Sequence, residues 1–209
     1  LILSLYVTPI IACGWWGDGE KSSENASIVR PSNYPELTAQ QLTDSDYLAS
    51  LGNRYRTSIN LNHSYSWAVH FYELAADLDH SGAQYNLGMM YEMGLGVTVD
   101  RYRAAGWYRL AAEKGNVHAQ HHLGELLISG NGVERNLERG LHWLLLAARS
   151  GHSDLYGRLA SLYWERQPVA DYRLQTVLWA TMALENGDQD VGNLLSDSRH
   201  ALTTAENAQ

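Results

Sequence analysis

The sequence predicts an all-α fold, a solenoid of antiparallel helix pairs, and three observations carry that prediction. Leu51-Gly52, Leu87-Gly88, Leu123-Gly124 and Leu159-Ala160 recur every 36 residues, with Leu195-Ser196 on the same register. A second ladder, Phe71, Trp107, Trp143 and Trp179, and a third, Ala75, Ala111, Ala147 and Ala183, share that spacing. Within each period the apolar residues return at three and four positions, as an amphipathic helix requires. One period common to independent ladders means a supersecondary unit stacked on copies of itself, here about four units and a closing helix.

The clearest copy runs from Gly82 to Gly115. Its pattern predicts helix A over about Ser81 to Met93 and helix B over about Asp100 to Lys114. Leu87, Gly88 and Tyr91 are expected to face Ala104, Trp107, Tyr108 and Ala111, because small residues at Gly52, Gly88, Gly124 and Ala160 let two helix backbones approach closely. The joining loop carries Gly94-x-Gly96-Val97 and again Gly130-x-Gly132-Val133, where glycine permits positive φ and valine fills the gap between helices. A phosphate-binding reading of these glycines fails, since no strand precedes them and no Lys-Ser/Thr follows. Gly115, Gly151 and Gly187 suit the left-handed residue that ends helix B. On this register Trp143→Ala removes a core aromatic, at an expected cost of about 3–5 kcal/mol.

The flanks differ from the repeats. A formal charge of −8, a pI near 5.5 and the lack of any basic run argue against nucleic acid as a partner. Lysine occurs only at positions 21 and 114, and the remaining cations are arginines, which suit bidentate protein contacts. The single cysteine, Cys13, ends the apolar run LILSLYVTPIIAC. A short apolar run that closes at a small residue reads as a signal segment (1–13) rather than a membrane span, and without Met or a basic start it reads as truncated. Residues 14–44, rich in Gly, Ser, Asn and Pro, read as a flexible tether that would hold the folded part on the order of 30 Å from a bilayer. Trp15 and Trp16 would lie near the interface. The solenoid is expected over 45–204 and a disordered tail over 205–209.

The series Ala83-Gln84-Tyr85-Asn86-Leu87-Gly88, Tyr91, Gly94-x-Gly96-Val97, Asp100, Ala104, Trp107-Tyr108, Ala111-Ala112 and Gly115 resembles the Sel1-like repeat, a relative of the tetratricopeptide repeat. The resemblance covers about 46–195 and implies a right-handed α-solenoid. The first unit departs from it at Ser58-Ile59-Asn60-Leu61 and the fourth at Arg166-Gln167-Pro168-Val169, as terminal units that meet water commonly do. A helix from Asp188 to about Thr204 would close the end. Such proteins typically serve as adaptors in signalling, secretion and envelope assembly and few are catalytic, which implies a protein partner, no enzyme activity and no cofactor. Ile10-Ile11-Ala12-Cys13 resembles a bacterial lipobox, implying lipidation at Cys13 and a periplasm-facing lipoprotein; Gly14 in place of Asp favours the outer membrane. A cysteine-rich subgroup linked to β-lactam chemistry does not extend to this chain, which has none of its paired cysteines.

If the units stack as in tetratricopeptide solenoids, helix A lines the concave face. Its i, i+4 and i+7 positions then present Tyr85, Met89 and Glu92 in the second unit and His121, Glu125 and Ile128 in the third, with His118 one turn earlier. The first unit adds Asn53 and Arg56, and the fourth Asp154, Ser161 and Trp164. These positions vary between units while the ladders do not, as a selective protein-binding groove would. The expected binding set is Arg56, Tyr85, Met89, Glu92, His118, His121, Glu125 and Trp164. An alternative role is immunity against a secreted toxin such as a phospholipase, with the acidic charge meeting a basic surface. A third reading places a metal on His118, His121 and Glu125, which share one helix face at i, i+3 and i+7. His70, His80, His142, His152 and His200 suggest no site, and neither a nucleophile elbow nor a CxxC motif occurs.

Overall fold

The computed structural model describes residues 35–57, 64–166 and 170–206. The expected signal segment with Cys13, most of the tether, the divergent loop at 58–61, positions 167–169 and the last three residues lie outside them. The compact unit begins at Leu37.

Its first element, α1 (Ala39–Leu42), is closed by a capping box between Thr38 and Gln41. Ordered structure therefore starts inside the stretch expected to be tether. Four antiparallel pairs follow: α2 (Ser45–Thr57) with α3 (Ser64–Asp77), α4 (Ser81–Met93) with α5 (Arg101–Glu113), α6 (Val117–Ser129) with α7 (Leu137–Arg149), and α8 (Tyr156–Trp164) with α9 (Ala170–Glu185). α10 (Gly192–Glu206) packs on α9 and ends the stack. No strand occurs among the described residues, so the fold is an all-α repeat solenoid. Successive A helices α2, α4 and α6 touch one another.

The A–B crossing is set by complementary size. A Cβ placed on Gly52 would sit 2.5 Å from the ring of Tyr72, and one on Gly88 2.5 Å from the ring of Tyr108. On Gly124 it would sit 2.7 Å from Leu144. In the fourth pair the facing residue is Ala180, and there the A position carries a methyl group, Ala160. Tyr72, Tyr108, Leu144 and Ala180 are fully buried. The packing ladder is thus one residue later than the aromatic ladder of the sequence. Phe71 and Trp179 are buried, but Trp107 and Trp143 are only half-buried, which corrects the expectation that Trp143 anchors the core. The alanine ladder Ala75, Ala111, Ala147 and Ala183 is buried as expected.

Each turn between repeats pivots on one residue. The backbone N–H of His80 donates to Ala75 O at 3.1 Å, closing α3, while its Nδ1 accepts from Ala83 N at 2.9 Å, starting α4. Asn116 does the same between Ala111 and Ala119, and Asp44 accepts from Tyr47 N. Asp188 donates to Ala183 and accepts from Asp190 N at 3.1 Å, whereas His152 keeps only the backbone half of the device, donating to Ala147. The residue before each pivot between repeats is left-handed, as expected at Gly115, Gly151 and Gly187, with Asp79 in that place in the first repeat at φ 67°; Thr43, before Asp44, is not. The exposed Asp79 carboxylate accepts from Lys114 Nζ at 2.6 Å.

The A–B loops lock successive repeats together. Gly96 lies against the backbone of Tyr65 and Ser66 at the start of α3, and Gly132 against Arg101 at the start of α5; a side chain at either would collide with the preceding repeat, and both have positive φ. Gln84 and Gln120, buried and one period apart, donate through Nε2 to Ala76 O (3.3 Å) and Ala112 O (3.2 Å) at the end of the preceding B helix.

Two stability outcomes follow from this packing. Gly88→Ala, forced against Tyr108, costs about 1–3 kcal/mol in thermal or urea unfolding, whereas Gly106→Ala, with open space at its Cβ, stabilises by about 0.5–1 kcal/mol. Leu144→Ala costs about 2–5 kcal/mol and exceeds Trp143→Ala, because the half-buried indole gives up less contact.

Candidate functional site

The structure divides the expected binding residues into three groups. Arg56 belongs to a local network in the first repeat: its Nε donates to Tyr72 OH at 3.2 Å, and that hydroxyl donates to Asn53 Oδ1 at 2.8 Å. Met89 and Trp164 are half-buried on the A-helix face. Ile128, also expected there, is instead buried in the core against Gly140. Tyr85, Glu92, His118 and His121 come together, joined by three residues outside the expected set: Tyr108, His122 and His152.

The register explains how this cluster forms. Tyr72 and Tyr108 cross beneath glycine, so their hydroxyls emerge on the far side of helix A, at positions 56 and 92. Arg56 meets one hydroxyl and Glu92 the other. Tyr108 OH donates to Glu92 Oε2 at 2.6 Å, and His122 Nδ1 lies 3.4 Å from the same oxygen. The His122 ring stacks on Tyr108 at 5.0 Å between centroids, and Tyr85 flanks Tyr108, His118 and His122 at 5.9, 5.7 and 5.8 Å. A tyrosine pair therefore walls one side of a row of imidazoles.

His152 extends the row into the fourth repeat. It occupies the pivot position of His80 and Asn116 but makes no side-chain cap at the start of the short 3-10 turn Ser153–Leu155. Its free ring contacts His118 at 5.3 Å and His121 at 5.1 Å, and His121 contacts His122 at 5.4 Å. The sequence signal was available: Asp44, His80, Asn116, His152 and Asp188 form a ladder of 36 residues, in which two of the histidines set aside as scattered are members.

The electrostatics follow from these contacts. The hydrogen bond from His122, reinforced by Tyr108, holds the Glu92 carboxyl below its ordinary range against the opposing effect of burial. Burial first, and then donation to Glu92, push the Tyr108 phenol far above its ordinary value, so it stays protonated and remains a donor. Burial, and then the neighbouring His122, His152 and His118, lower His121, with Glu125 opposing them. Glu125 itself is held by Arg158, whose Nε and Nη2 donate to its two oxygens at 3.0 and 3.2 Å. The expected metal triad is therefore not assembled: the Glu125 carboxylate is engaged by Arg158, and His118 turns to Tyr85 and His152. Among the described residues no group of three or more His, Cys, Asp or Glu is disposed to hold a metal ion. Nor is any described helix long and apolar enough to cross a membrane. Such a face offers aromatic surface together with hydrogen-bonding tips, the combination that anchors protein interfaces.

Comparison with known proteins bears on what carries this face. A Sel1 repeat protein from Oxalobacter formigenes matches in structure with a TM-score of 0.65 and 26% identity, covering 78% of this chain and 66% of that one. A protective antigen present in uropathogenic Escherichia coli strains, displaying an SLR fold, matches with a TM-score of 0.64 and 29% identity over 73% of this chain and 33% of that one. The chain thus spans just under two thirds of the first relative and a third of the second. No curated protein matches the sequence. Sel1 repeats are commonly protein–protein interaction modules, and proteins built from them are generally non-enzymatic scaffolds. The Sel1 repeat profile matches 47–80, 81–116 and 117–152, three copies in register with α2 to α7. With more than half of its length matched in this way, the chain belongs to the Sel1 repeat family.

Proposed function

We propose that this protein is a non-enzymatic adaptor that binds a protein partner on the face formed by its A helices. The observation that carries the reading is the cluster of Tyr85, Glu92, Tyr108, His118, His121, His122 and His152, which joins three repeats on one face. The side chains differ from unit to unit there while the crossing beneath them is constant. The contacts between successive A helices α2, α4 and α6 are in keeping with that face lying on the concave side. Half-buried rings lose little side-chain freedom on docking, so they are efficient anchors.

The N-terminal segment supports a location in the bacterial envelope. Cys13, preceded by Ile10-Ile11-Ala12, is the proposed lipidation site, and the bacterial sources of both structural relatives support reading it as a lipobox. The anchor and residues 14–36 would hold the solenoid on the periplasmic side, at the outer membrane in preference to the inner. The charge of −8 favours one second reading, immunity against a basic toxin in the same compartment.

The test is capture from bacterial envelope extract by the tagged chain, compared with a Tyr85→Ala, Met89→Ala, His121→Ala variant whose fold is checked by circular dichroism. The wild type retains a partner that the folded variant loses at least about tenfold, the loss expected when anchors worth about 1.4 kcal/mol or more in total are removed. Equal capture by both moves the binding site off this face. The partner's identity, a component of an envelope assembly or a toxin, separates adaptor from immunity protein.

A further inference from the structure

The histidine row poses an electrostatic problem that the chain does not solve by itself. Four imidazoles, His118, His121, His122 and His152, follow one another at ring separations of 5.1–5.4 Å along the path His118, His152, His121, His122. When they take up protons, like charges come within about one Debye length of each other, where salt screens them poorly. Two carboxylates lie beside the row, and both are committed. Glu92, on α4, accepts from Tyr108 of α5, pairs with His122 and is also acted on by Arg101 at the start of α5. Glu125, on α6, is held through both oxygens by Arg158 of α8, so its charge is already balanced. The remaining described groups in ring contact with the row, Tyr85 and Tyr108, are phenols. Glu125 acts on His121 but shares its charge with Arg158, and among the described residues His118, His121 and His152 are in no ion pair.

We propose that this row is a proton-dependent docking site for a carboxylate-rich segment of the protein partner, with His118, His121 and His152 supplying the cationic donors and Tyr85 the adjoining aromatic wall. The proposal rests on the reading of the A-helix face as the partner-binding face. A chain of formal charge −8 repels an acidic segment. Protons added to the row would make it locally positive, while glutamate side chains of a partner stay ionised over the range in which histidine characteristically changes charge. The lowered proton affinity of His121, caused by burial and by its three imidazole neighbours, is consistent with this arrangement. A bound carboxylate offsets that repulsion, so acidic ligand and proton favour each other's binding by the same factor.

The test uses the full chain and two synthetic peptides, hexaglutamate and hexaglutamine, titrated by calorimetry at pH 7.5 and 5.5. Hexaglutamate is expected to bind about tenfold or more tightly at pH 5.5, since each linked proton contributes up to about tenfold per pH unit, with hexaglutamine unaffected. The gain is lost in His121→Gln/His152→Gln. His118→Gln, at an exposed position, reduces it and guards against a folding defect in the double variant. In parallel, hexaglutamate raises the NMR titration midpoint of His121. Binding that is independent of pH, that persists in the double variant, or that hexaglutamine matches overturns the proposal. The adaptor reading fails separately, when the partner captured from extract is unaffected by the triple variant.

Discussion

The absence of a side chain at one position of each A helix is the constraint on which the rest of this protein depends. Gly52, Gly88 and Gly124 let the B helix bring a large residue directly onto the A-helix backbone, and the fourth repeat has two buried alanines, Ala160 and Ala180, at the matching positions. Total volume at the crossing is conserved only loosely, since tyrosine, leucine and alanine all occupy the B position. What is conserved is that a large partner meets glycine and a small partner meets a methyl group. Because interiors are packed to near-crystalline density, such pairs fix the crossing and hence the stacking of each repeat.

The same crossing generates the candidate site. A tyrosine that fills the space beneath glycine is long enough for its hydroxyl to reach the opposite surface, where it must find a partner. Arg56 and Asn53 serve Tyr72, and Glu92 serves Tyr108. In the third repeat Leu144 has no hydroxyl to satisfy, and the corresponding position is the buried Ile128. Surface chemistry on the A-helix face is therefore coupled, repeat by repeat, to what the core contains. The polar cluster sits over repeat two because a tyrosine lies under it.

Much of this was legible in the sequence. Helix limits in the central unit, the left-handed glycines, the glycine loop and the alanine ladder all depend on local geometry or on the period itself, and a single repeated pattern exposes them. Of the two residues expected to face Gly88, Tyr108 is fully buried and Trp107 only half-buried. The repeated tryptophans are the more visible ladder, whereas the buried position varies in size from unit to unit and so shows no ladder of one residue type. His152 was missed for a related reason. Its position in the pivot ladder implies a helix cap, and no spacing reveals that its ring forgoes that cap and joins His118 and His121 instead. Glu125 could be placed on the right face from sequence, but its engagement by Arg158 33 residues away could not.

A double-mutant cycle at the second crossing tests the central claim most directly. Unfolding free energies are measured for the wild type, Gly88→Ala, Tyr108→Ala and the double variant. If the glycine exists to admit the tyrosine, the added methyl group is costly only while the ring is present. The double variant is then more stable than the sum of the single effects by about 1–3 kcal/mol, the coupling expected of residues in direct contact. Additive effects, with Gly88→Ala equally costly in both backgrounds, would contradict the account and leave the crossing to be explained by something other than this pair.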